Sequence, residues 1–126
     1  MKDYFLMSQA MEELGFLVLH QGAIKCYLLD YQTNLSLVVE NRHLLTDQKQ
    51  SLERFDFYKL IMKDRQSTIG KVYGEALPAF TCVKKAAQLL LFLMNHQVIP
   101  ENKRVRQNAL YYQQLDRYST HNRWKE

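Results

Sequence analysis

The side chains best equipped to read another molecule stand close together near the C-terminus, where residues 101–108 run Glu-Asn-Lys-Arg-Val-Arg-Gln-Asn. Lys103, Arg104 and Arg106 can reach phosphate oxygens or guanine O6/N7, and Asn102, Gln107 and Asn108 carry amides able to bond adenine N6/N7 in two-pronged fashion. Pro100 just ahead suits a helix start, because proline has no N–H to leave unpaired there. In a helix-turn-helix, base-reading residues occupy this N-terminal part of the second helix, where free backbone N–H groups also favour a phosphate. A plain solvated helix face would use the same residue types.

Val105, Ala109, Tyr112 and Leu115 recur at spacings of three and four, which makes them the buried stripe of that helix and turns Lys103, Arg106, Gln107 and Arg117 toward solvent. Lys84 and Lys85, on a preceding helix, and Lys71, in a segment able to form a wing, are further candidates for phosphate contacts. Tyr111, Tyr112, Tyr118 and Trp124 interleave with Arg106, Arg117, Arg123 and Lys125, a pattern that can stack on unpaired bases but more commonly serves packing. A second kind of surface is expected at residues 89–94, apolar all round. Leu90, Leu91, Leu93 and Met94 there would be either central core or half of an interface with a partner protein or a second copy.

Chemistry of other kinds finds no footing. His20, His43, His96 and His121 are scattered, with no pair at metal-ligand spacing, and Cys26 and Cys82 stand far apart. Gly70 and Gly74 enclose Lys71-Val72-Tyr73 without the Gly-Lys-Ser/Thr ending of a phosphate loop. No nucleophile and base, and no pair of carboxylates, can be assembled from spacing alone. The expectation is therefore a non-enzyme without cofactor or metal.

Charge is segregated along the chain. Residues 1–58 hold five Lys/Arg against eight Asp/Glu, and residues 59–126 hold twelve against five, within a net charge of +4. A positive lobe of this kind attracts polyanions. At 126 residues, 47% hydrophobic and 24% charged, with four Gly and two Pro, the chain has the composition of one folded domain. Two unpaired cysteines and the lack of a signal-like N-terminus point to a reducing cytoplasm. The longest apolar run, 89–94, is far short of the roughly 20 residues that cross a bilayer.

The elements that must position these residues follow from periodicity. Tyr4, Met7, Met11 and Leu14 predict a helix capped by Asp3 and closed by Gly15. Residues 16–20, 23–31 and 35–40 alternate as three strands of an antiparallel meander, with turns at Gln21-Gly22 and Gln32-Thr33-Asn34. Leu52, Phe55, Tyr58 or Lys59, and Met62 fit a second helix starting at Thr46 or Asp47 and ending in Lys63-Asp64-Arg65. Residues 67–74 suit a short strand or wing, a third helix runs from Pro78 to Asn95 or His96, and the last from Pro100 to about Tyr118. The expectation is an α+β domain over residues 1–118, a short meander packed with about four helices, with a flexible tail at 119–126. Its C-terminal helix pair would resemble a helix-turn-helix or winged helix. Its expected role is a small DNA-binding or accessory regulatory protein that docks on duplex DNA; the alternative is a protein-interaction module or homodimer using residues 89–94.

Overall fold

Alternation of apolar and polar residues, joined by tight turns, strings five strands in chain order into one antiparallel sheet, β1-β2-β3-β4-β5. The strands are β1 Leu17–Val18, β2 Cys26–Gln32, β3 Leu35–Asn41, β4 Phe55–Lys63 and β5 Gln66–Leu77; α1 (Met7–Glu13) precedes them, and α2 (Ala79–Asn95) and α3 (Lys103–Gln114) follow. This computed structural model describes residues 6–41 and 53–115.

The turns explain the meander. Gly22 has φ +63 and closes a two-residue turn between Gln21 and Ile24, while Asn34 at φ +66 turns β2 into β3. Asp64 and Arg65 both hold positive φ in the β4–β5 turn, the pattern whose twist matches that of a two-stranded ribbon. Gly15, at φ +98, ends α1 in a conformation that other residues adopt only with strain, and the N–H of Phe16 returns to the carbonyl of Met11 at 2.9 Å.

One face of the sheet carries Tyr27, Leu37, Val39, Phe55 and Phe57, which join Met7, Ala10, Met11 and Leu14 of the α1 region and Cys82, Val83, Ala86, Ala87, Leu90, Leu91, Leu93 and Met94 of α2 in a single buried core. Residues 89–94 are thus mostly core, and Phe92 is their exposed member. Connector residues Val98 and Ile99 pack against the same core, and Ala109, fully buried, brings α3 onto it.

β5 is an outer strand of twelve residues facing nine of β4, and the excess is taken up in three irregularities of register. Ala76, at φ +52, lies in one of them, and its N–H reaches the Asp56 carboxylate at 3.0 Å. Bulges of this kind twist a strand and obstruct pairing with a further one, a common protection for an exposed edge.

The α+β class and the antiparallel meander agree with the sequence expectation, and the sheet is larger than expected. The expected helix from Thr46 or Asp47 into Lys63-Asp64-Arg65 is corrected over its described part: residues 55–63 are a strand, and Asp64 and Arg65 form the turn after it. Phe55 and Phe57 face the core while Asp56 and Tyr58 face away, so a period of two holds where Leu52, Phe55, Tyr58 and Met62 also happen to fit three and four. Full-length pairing with β3 decides for the strand. Three helices, rather than about four, are found among the described residues.

The likeness to a helix-turn-helix or winged helix is not found there either. The connector between α2 and α3 runs over residues 96–102, longer than the three or four of such a motif, and the expected wing is a strand of the main sheet. Asp3, residues 46–52, Arg117, Tyr118 and the tail at 119–126 lie outside the described residues. Among the described residues no helix is long and apolar enough to cross a membrane.

Candidate functional site

Several of the expected nucleic-acid contacts have work to do within the chain. The Asn102 side chain caps α3, accepting from the Val105 N–H at 3.0 Å. Asn108 donates through Nδ2 to the carbonyl oxygen of Glu13 at 2.9 Å and so ties α3 to the end of α1. Arg106 forms a two-pronged pair with Glu101, Nε and Nη2 each 2.7 Å from a carboxylate oxygen. That pair holds the Glu101 carboxyl below the usual range and the Arg106 guanidinium above its own, the hydrogen bonds being the main cause. Lys103, Arg104 and Gln107 remain exposed on α3.

The other cations lie elsewhere. Lys84 and Lys85 are on the N-terminal half of α2, whereas α3 begins beyond the C-terminal end of that helix. Lys71 is on β5 with its ammonium 5.5 Å from the centre of the Tyr73 ring. Lys85 lines a shallow cavity with Phe57, Tyr73, Gln88 and Leu89. The described members of the expected set thus belong to three elements: Asn102, Lys103, Arg104, Arg106, Gln107 and Asn108 are on α3 and its cap, Lys84 and Lys85 on α2, and Lys71 on β5, while Arg117 is outside the described residues. Of the expected interface residues, Leu90, Leu91, Leu93 and Met94 are at most 8% exposed and are spent on the chain's own core.

A surface that spacing did not single out is the opposite, outer face of the sheet. The register aligns Leu17, Leu28, Val38, Tyr58 and Val72 in one row across all five strands. Val38 is only 4% exposed yet stands outside the core cluster, which marks this face as a second apolar layer. Leu19 and Ile24 extend the row's face at the β1–β2 end, and Leu60, Met62 and Ile69 at the β4–β5 end. Leu17, Leu19, Ile24, Met62, Ile69 and Val72 are each between 42% and 60% exposed. No helix among the described residues lies on this side, since α1, α2 and α3 all contribute to the core on the other. The signal that could have found it is partial: the outward set of each of β2, β3 and β4 holds at least one apolar residue, Leu28, Val38, and Leu60 with Met62, among its polar ones.

The polar groups of the outer face are acidic. Ser36 donates to the Asp30 carboxylate, and Tyr58 donates to Glu40 at 3.0 Å. Burial, followed by the bond to Glu40 and its charge, pushes the Tyr58 hydroxyl pKa up, and burial with the Glu40 charge does the same to the Cys26 thiol. Asp56 sits opposite Glu40 in the next strand. The outward positions of β2, β3 and β4 thus hold Asp30, Glu40 and Asp56 and no Lys or Arg.

No group of three His, Cys, Asp or Glu side chains suited to a metal occurs among the described residues. Cys82 is buried, and that burial pushes its thiol up to about 12, which leaves it protonated and unreactive. Compared with protein-family models, with curated proteins and with solved structures, the chain matches none.

Proposed function

We propose that this protein is an interaction module whose outer sheet face receives an apolar polypeptide segment flanked by Lys or Arg. The observation that carries the reading is the outer apolar face, where Val38 at the centre of the row is covered but six large side chains toward the two ends are left 42–60% exposed. Exposed apolar groups gathered on one face mark an interaction surface, whereas the same residues scattered would need no explanation. The partner's basic flanks follow from charge: the outward carboxylates of Asp30 and Glu40 are answered by the hydroxyls of Ser36 and Tyr58, and the outward positions of β2 and β3 hold no Lys or Arg. The bulged β5 edge speaks against strand addition there and in favour of side-chain docking on the face.

The test is a binding series with three fluorescently labelled peptides of equal length, one of Leu and Lys, one of Leu and Glu, one of Ser and Lys, titrated with the full chain. The Leu/Lys peptide binds best, and Leu17→Asp with Val72→Asp weakens it at least tenfold. Equal binding of all three peptides, or no effect of the two substitutions, overturns the reading. Light scattering that finds a dimer dispersed by the same substitutions replaces the foreign partner with a second copy.

A contact with duplex DNA through α3 is the second reading, favoured by exposed Lys103, Arg104 and Gln107 near the helix N-terminus. It predicts retardation of duplex DNA in a gel that weakens steeply with salt and is lost on joint Lys103→Ala and Arg104→Ala substitution. A duplex that is not retarded at low salt removes this reading and leaves the first untouched.

A further inference from the structure

Lys59 of β4 and Lys71 of β5 are paired directly across the ladder. Lys59 is also opposite Leu37, a core residue, so both lysines rise from the helix-bearing face of the sheet, at the corner beyond α2. Like charges opposite each other in a sheet are destabilising, and an opposite charge at either place would have removed the penalty. Here the charges are concentrated further. Lys85 lines a shallow cavity together with Tyr73, and Tyr73, whose ring lies under the Lys71 ammonium, packs on Phe57 with ring centres 4.9 Å apart.

None of the three ammonium groups is ion-paired with a carboxylate among the described residues. Gly70 lets the Ile61 side chain lie against the strand beside Lys59: a Cβ there would stand 2.4 Å from Ile61 Cδ1, and the Lys59 Cε would be in ordinary contact with it at 3.4 Å.

We propose that this corner, Lys59, Lys71 and Lys85 around Tyr73, binds a phosphate group. A phosphate monoester near neutral pH carries between one and two negative charges and three strong acceptor oxygens, which calls for several cations at once, while a carboxylate is satisfied by one. Lysine supplies a compact charge with three donors that can be aimed at separate oxygens. Gln88, on the same wall as Lys85, adds an amide donor. The repulsion between Lys59 and Lys71 in the empty site becomes attraction to a shared anion in the filled one. Such a phosphate can belong to a nucleic-acid backbone or to a free phosphorylated molecule, and the two sources differ in how affinity grows with the number of linked phosphates.

The experiment follows amide and lysine side-chain NMR signals of the full chain at low salt while inorganic phosphate, a twelve-nucleotide thymidine oligomer or poly-glutamate is added. Phosphate and the oligomer shift Lys59, Lys71 and Lys85; poly-glutamate leaves them nearly in place. Lys71→Gln with Lys85→Gln weakens phosphate and oligomer at least tenfold, and each lysine removed lowers the single-stranded oligomer's salt slope by about 0.7. An oligomer far tighter than inorganic phosphate identifies the nucleic-acid backbone as the source, and similar affinities identify a free phosphorylated ligand. Unshifted lysines with both phosphate probes, poly-glutamate binding as tightly as phosphate, or wild-type affinity in the double variant overturns the site. Removing these charges also removes repulsion, so the variants melt no lower than wild type, which separates lost binding from lost folding. The outer-face substitutions Leu17→Asp and Val72→Asp leave phosphate affinity unchanged, so failure of the docking face and of this site can be told apart.

Discussion

Asn108 of α3 donates to the backbone carbonyl of Glu13 at 2.9 Å, although the two residues stand 95 positions apart in the chain. The bond satisfies a carbonyl at the end of α1 that its own helix leaves unpaired, and Tyr112, one turn further along α3, donates to the Glu13 side chain. An amide that looked fit to read adenine is thus a clasp between the first and last helices. Asn108→Ala leaves a half-buried carbonyl without this partner, and urea denaturation should register a loss of about 1–3 kcal/mol.

Residues 89–94 and the outer sheet face exchange the roles that hydropathy suggests. Leu90 is 1% exposed within the core, so Leu90→Ala costs about 2–5 kcal/mol. Leu17, at 60% exposed, is replaced by Asp at a cost within about 0.5 kcal/mol. Chemical denaturation of the two variants side by side checks the contrast, and equal losses would contradict the assignment of the faces.

The direct Lys59–Lys71 pairing is a liability for the unliganded fold. Lys59→Thr replaces a like charge with a residue of high strand propensity, and stabilisation of about 0.2–1 kcal/mol is expected from the removed repulsion. The gain shows as a higher Tm in low salt and shrinks as salt screens the pair.

Alkaline conditions weaken the fold through its thiols. Burial raises Cys82 from 9.0 in the unfolded chain to about 12 in the folded protein, so the folded state holds the proton more firmly. Stability from this group is complete below pH 9 and falls steadily as the pH climbs toward 12, because the unfolded chain gives up the proton first. Iodoacetamide at pH 8 leaves Cys82 unmodified in the native protein and labels it once urea is added, as mass spectrometry of the digested chain will record.

The Glu101–Arg106 pair sets a different window. Its carboxyl is depressed, so its contribution is present at neutral pH and is lost as the pH falls through the lowered folded value. Both groups are on the surface, and the effect on stability is small. The effect on charge is larger: Glu101→Gln frees the Arg106 guanidinium. If α3 meets DNA, this variant binds duplex more tightly than wild type in a gel shift at constant salt.

What the sequence determined by itself was local. Gly15, Gly22 and Asn34 sit where the backbone must take positive φ, and α2 ends at Asn95. β2 and β3 follow from alternation that needs no distant partner to be read. The α+β class and the segregated charge needed only composition and pattern, as did the stripe of Val105, Ala109 and Tyr112 that seats α3.

Tertiary structure decided what two patterns left equal. Phe55, Tyr58 and Met62 fit a helical spacing while Phe55 and Phe57 fit a strand's, and only the ladder with β3 settled it. The apolar turns of α2 could have been core or interface, and the layer of α1, β2, β3 and β4 packed against them makes them core. Once that face of the sheet was filled, Leu17, Leu28, Val38, Tyr58 and Val72 had no helix among the described residues to pack against, and they formed the outer row. Likewise Lys59 and Lys71 became ladder partners, and Lys85 came beside Tyr73, only because β4 pairs with β5 and α2 folds back over that corner. Hydrophobic burial is non-directional and charge acts through space, so which apolar face remains open and which cations become neighbours are properties of the packed chain.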